Sequence, residues 1–171
     1  MSFLHHPAFQ SLVLPFLLAL LACLLLRLAG QRWATLGAAI GLVLAMVAWP
    51  GFDWPAGSRV QMLPWTALGG TVLASLVIAL QWPGTRPLGK LRGRLSTAVL
   101  TLVALGLGAW AAFGGSLLLA QLALMLATVA GVAGLWSWRG ASVTPVSLLP
   151  LWLTGIGIAL CLVWLPSGGP D

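Results

Sequence analysis

The sequence predicts an all-α integral membrane protein, a compact bundle of six transmembrane helices with short loops. Three observations carry this. Of the 171 residues, 60% are hydrophobic and only 6% are charged. Apolar runs close to the length of a bilayer-spanning helix, about 20 residues, recur along the whole chain. Tryptophans sit near the ends of those runs, where an indole buries its ring and keeps its N–H hydrated.

A soluble domain carries about 25% charged residues. Two acids and eight bases do not make a soluble surface, whereas lipid accepts an apolar outer face. The net charge of +6 does not indicate nucleic-acid binding, which needs a clustered basic face on a soluble module. Here the bases lie in short connections between apolar runs.

The first span is expected at 7–28. No basic stretch precedes it and no Ala-x-Ala-like site follows, so it reads as a retained helix rather than a signal peptide. Arg27 lies near its end and can snorkel to the headgroups. The second span, 33–49, is short but has Trp33 and Trp49 at its ends. The third, 63–82, has Pro64 in its first turn, where proline is tolerated. The fourth, fifth and sixth are expected at 95–113, 117–138 and 145–165. The stretch 95–136 is uncharged and as one helix would be about 60 Å long, roughly twice the hydrocarbon thickness. It must turn, and Gly114-Gly115-Ser116 is its one cluster of turn formers near the middle. Residues 166–171 read as a disordered tail, leaving 1–165 as a single domain.

Small residues at spacing four allow helix backbones to approach in lipid. Gly37, Gly41 and Ala45 form such a ridge on the second span. Ala67, Thr71, Ser75 and Ala79 form one on the third, Ala104, Gly108 and Ala112 on the fourth, and Ala123, Ala127 and Gly131 on the fifth. Pro15 and Pro150 fall inside helices, kink them, and free the carbonyls of Ser11 and Val146.

Candidate chemistry is sparse. No ionisable residue falls at mid-bilayer, the position that marks proton relays and coupled transport. Gln121, Thr71, Ser75, Thr101, Thr128 and Thr154 are expected to bond to a neighbouring helix or to backbone one turn back. His5, His6, Asp53 and Asp171 do not have the spacing of a metal site. Cys23 and Cys161 lie at different depths and are not expected to pair. Gly114-Gly115-Ser116 has no base nearby to activate a serine. No catalytic residue, metal or cofactor is therefore expected. The loop at 50–59, with Asp53 and Arg59, reads as a rigid cap that serves either as an interfacial anchor or as a docking surface. The loop with Arg86, Lys90, Arg92 and Arg94 is expected to contact anionic lipid.

A helix ending in Trp49-Pro50, followed by one opening with Leu63-Pro64-Trp65, resembles a group of small uncharacterised bacterial inner-membrane proteins. The resemblance covers about twenty residues. It implies a bacterial inner-membrane setting and no particular activity.

Six spans place Arg27, Arg32, Arg86, Lys90, Arg92, Arg94 and Arg139, seven of the eight bases, on one side. Arg59 and both acids fall on the other. The positive-inside rule then puts both termini outside. The expected function is that of a non-enzymatic subunit or accessory protein, associating with membrane lipid and with membrane partners or itself. The alternative is a small transporter or channel for a neutral or hydrophobic solute.

Overall fold

A computed structural model of the chain describes residues 9–51, 60–80, 88–140 and 143–164, and the regular elements among them are all helical. A π-helical turn, Phe9–Val13, leads into α1 (Leu14–Ala29). A single turn, α2 (Gln31–Ala34), precedes α3 (Leu36–Ala48). A 3-10 turn, Val60–Met62, opens α4 (Leu63–Ala79). Then follow α5 (Lys90–Phe113), α6 (Leu117–Trp138) and α7 (Pro145–Val163). Among the described residues five helical stretches are long and apolar enough to cross a membrane: Ser11–Ala29 and Val60–Ala79, which take in the turns leading into α1 and α4, and then α5, α6 and α7; α3 is apolar but shorter.

The expected second span is not one helix. It breaks at Thr35, which is fully buried and whose carbonyl accepts from Ala38 N–H at 3.4 Å in a tightened turn. With Thr35 between them the two pieces cover 31–48, or about 27 Å of helix axis. The fourth span also differs: α5 begins at Lys90, not at residue 95, so three bases lie on the helix and not in a loop. Lys, Leu and Arg are good helix formers, and charge ends a hydropathy run without ending a helix.

Three pairs of neighbouring helices run antiparallel. A Cβ on Gly37 would lie 2.5 Å from the Cys23 Cα, and one on Gly41 would overlap the Ala19 backbone, 2.8 Å from the Ala19 Cβ. Position rises along α3 as it falls along α1. The same reversal pairs α5 with α6, where Gly134 approaches Thr97 and Gly108 approaches Ala123. It also pairs α4 with α7, where Gly70 faces Pro150 and Gly157 faces Leu63. This last pairing joins helices far apart in the chain.

α6 is the centre, touching α1, α3, α5 and α7, and 13 of its 22 residues are buried. Around it the interior is filled by large side chains: Leu42 and Met46 from α3, Leu100 from α5, and Leu148, Leu151 and Ile158 from α7. Only four of the 16 residues of α1 are buried, so that helix lies at the rim. The turn after α5 is Gly114-Gly115-Ser116. Ser116 N–H donates to the Ala111 carbonyl and Gly115 N–H to that of Ala112, with Gly115 at φ 77°. That bond pattern closes a helix with a left-handed residue, which glycine adopts without strain.

The α1–α3 contact gives a direct test. Gly41→Leu should lower stability by about 1–3 kcal/mol, the cost of overpacking a tight site. Gly106 on α5 is exposed and has open space at its Cβ position. Gly106→Leu should melt within a degree or two of the parent, since surface changes cost about 0.5 kcal/mol at most. Thermal unfolding in detergent reads both, and equal melting of the two variants would refute the close approach.

Candidate functional site

The basic residues meet at one end of the bundle. Leu88 N–H donates to the Val143 carbonyl at 2.7 Å, tying the start of α5 to the start of α7. Gly93 lets Val143 approach, for a Cβ there would stand 3.3 Å from the Val143 Cβ. Thr144 and Ser147 cap α7 reciprocally: Ser147 N–H donates to Thr144 Oγ1 at 3.1 Å, and Thr144 N–H to Ser147 Oγ at 3.3 Å. Both residues are buried, so these bonds satisfy donors that water does not reach.

Two cation–π contacts complete the gathering. The Arg27 guanidinium lies 5.9 Å from the Trp136 ring centroid, joining the end of α1 to the end of α6. The Arg94 guanidinium lies 5.3 Å from the Trp138 ring centroid, joining the start of α5 to the end of α6. Such contacts are worth about 0.5–1 kcal/mol when exposed and more when desolvated. Arg27, Lys90, Arg92, Arg94 and Arg139 therefore share one end, while α1 begins and α7 finishes at the other.

Of the residues expected to contact anionic lipid, Lys90 and Arg92 are exposed and Arg94 is half-buried. Arg86 lies outside the described residues, as do His5, His6, Asp53, Arg59, Asp171 and the 166–171 tail. Gly37, Gly41 and Ala45 are buried, the two glycines directly against α1. That ridge is occupied inside the fold.

The other rows of small residues run off the buried face. Ala79 and Ala112 are exposed, whereas Ala74 and Ala111 are buried. A strict spacing of four overshoots the 3.6-residue turn, so each row drifts around its helix. Neutral hydroxyls bond one turn back. Thr71 Oγ1 donates to Ala67 O (2.7 Å), Ser75 Oγ to Thr71 O (2.8 Å), Thr101 Oγ1 to Thr97 O (2.9 Å), Thr128 Oγ1 to Leu124 O (2.8 Å) and Thr154 Oγ1 to Pro150 O (2.8 Å). No disulfide joins Cys23 and Cys161.

From Arg94 a groove of about 520 Å³ runs between α5 and α6. Thr97, Ala98, Thr101 and Leu102 form one wall, and Gly131, Gly134, Leu135 and Trp138 the other. Sequence reading missed it because Gly131 and Gly134 look like packing residues. In the structure a Cβ at Gly131 would meet nothing within 4 Å. A second groove, on the α1–α3 face, is lined by Leu18, Leu21, Ala22, Leu25, Leu26, Ile40 and Leu44.

Comparison with protein-family models, with curated proteins and with solved structures finds no match for this chain. The arrangement defines a helical bundle with a basic end and apolar flanks.

Trp136 and Trp138 are two residues apart, yet Trp136 is 5% exposed and Trp138 is 73% exposed. Trp136→Ala should cost about 3 kcal/mol through the cavity it leaves. Trp138→Ala should cost about 1 kcal/mol, the scale of its lost contact with Arg94. Denaturation in detergent distinguishes them, and equal losses would contradict the burial of Trp136.

Proposed function

We propose that the chain is a multi-pass protein of the bacterial inner membrane. It acts without enzymatic chemistry, as a subunit or accessory protein that associates laterally with membrane partners or with itself. The observation that carries this reading is the outer surface of α1. Leu17, Leu21, Leu24, Leu25 and Leu28 are 44–86% exposed along it, beside the apolar α1–α3 groove. In water a patch of this kind would drive aggregation. In a bilayer it faces lipid, and its groove offers a seat for a helix from another chain.

Transport of a neutral or hydrophobic solute is the second reading, and Pro150 inside α7 favours it, because a proline there removes a backbone hydrogen bond and disposes a helix to bend. The packed interior around α6 weighs toward the subunit reading, because a solute path needs space where Met46, Leu122 and Leu151 sit fully buried. The basic end faces the cytoplasm in this proposal, since bases resist translocation, and both termini lie outside.

Two measurements test it. C-terminal fusions to alkaline phosphatase and to a green fluorescent reporter should give an active phosphatase and a dark reporter. A bright reporter with inactive phosphatase would overturn the orientation. Native-state mass after mild extraction from the source membrane should exceed that of one chain with bound lipid and detergent. A strictly single chain that carries a solute across reconstituted vesicles would favour transport instead.

A further inference from the structure

We propose that the α5–α6 groove is a binding site for one anionic phospholipid, with its headgroup phosphate on Arg94 and an acyl chain laid against Gly131 and Gly134. The inference rests on the membrane setting proposed above, and not on the subunit role.

The polar end of the site is Arg94. Its Nε is buried and has no hydrogen-bond partner within the protein. A buried donor of this kind costs free energy until it is paired. The chain has two acids, Asp53 and Asp171. Asp53 belongs to the connection between α3 and α4, and Asp171 follows α7; both segments leave from the opposite end of the bundle. Among the described residues there is no carboxylate, so the groove itself supplies Arg94 with no counter-ion. Lys90 and Arg92 stand within the same first turns of α5, where the helix dipole is itself positive. Both fields favour an anion. Two oxygens of one phosphate can also accept a pair of N–H bonds from the planar guanidinium fork.

The apolar end selects a lipid over a free anion. Beyond Arg94 the groove continues to Leu102, eight residues or about 12 Å along the helix axis. Its walls hold no unpaired hydroxyl: Thr97 Oγ1 donates to Gly93 O (3.1 Å) and Arg94 O (3.0 Å), and Thr101 Oγ1 to Thr97 O (2.9 Å). The open side is flanked by Leu102 and Leu135, 68% and 56% exposed, so a chain can enter from the bilayer. Gly131 provides the hollow. Charge at the mouth and hydrocarbon below it match one amphiphile.

The test is native mass spectrometry of the full chain in mild detergent, with phosphatidylglycerol or phosphatidylcholine added. The parent should retain one phosphatidylglycerol in preference to phosphatidylcholine. Arg94→Gln should lower that retention about five-fold, the scale of one base near an anionic surface. Arg94→Lys should recover part of it. Gly131→Leu, which fills open space and should fold, should lower retention without removing any charge. Lys90→Gln, an exposed base, serves as the control and should lower it less than Arg94→Gln. Unchanged retention in Arg94→Gln or in Gly131→Leu would overturn the proposal, as would equal retention of the two lipids by the parent. A dimer that Gly131→Leu dissociates, with lipid retention unaffected, would instead assign the groove to a helix of a second copy. Alkaline carbonate extraction of the same cells tests the membrane setting on its own. Release of the parent from the pellet would count against that setting whatever the lipid result.

Discussion

Among the described residues most hydroxyls are paired close to where they arise, the buried Ser137 Oγ being an exception. A segment with almost no charged neighbours has few side chains to recruit, so each helix must satisfy its own backbone and hydroxyls. Five hydroxyls, on Thr71, Ser75, Thr101, Thr128 and Thr154, donate to the carbonyl one turn back. Helix ends follow the same constraint. Ser116 and Gly115 close α5 through backbone donors, and the reciprocal Thr144–Ser147 pair opens α7 inside the protein. With most polar demands met locally, the outer surfaces of the helices are left free to be apolar.

What then holds the helices together is shape. Where no water is expelled, association depends on van der Waals contact and thus on how near two backbones come. Gly37 and Gly41 bring α3 onto α1 at a distance that a side chain would prevent. α6 works differently, surrounding itself with alanines such as Ala123, Ala130 and Ala133 among larger Leu and Met side chains. Small residues let four helices reach it, and large ones fill what remains. The glycines of the α5–α6 pair are used unequally. Gly108 and Gly134 face atoms of the opposite helix, while Gly131 faces open space.

The sequence makes the spans legible because hydropathy and breakers coincide. α6 occupies 117–138 as expected, and the Gly-Gly-Ser turn divides the long uncharged stretch. Where the two signals part, the reading slips. The bases at 90, 92 and 94 end a hydropathy run but continue a helix, so α5 starts five residues early. Thr35 breaks a run that hydropathy carries straight through, because a single buried residue leaves no trace in an average. Trp136 and Trp138 have the same residue type at nearly the same depth, and only the packing of α6 separates a core ring from an exposed one. The α4–α7 pairing was not legible, since periodicity gives a helix a face but does not name its neighbour. The groove stayed hidden for a related reason: a glycine in a close contact and a glycine beside a hollow are identical in sequence.

The basic end carries an imbalance that local pairing does not remove. Arg27 sits in the last turn of α1, where the helix dipole favours a cation. Lys90, Arg92 and Arg94 sit in the first turns of α5, where it opposes them. Trp136 and Trp138 present ring faces to Arg27 and Arg94, but a quadrupole softens a charge without neutralising it. The helix ends from which the segments of the two acids depart lie at the other end. The excess positive field is thus built into the order of the helices, and its natural complement is an anionic surface lying across this end. On the proposed reading, an orientation bias and an affinity for anionic headgroups have one physical origin. The bases that would resist translocation are the ones that would draw negative charge, and Arg94 differs from the rest in having a groove beneath it.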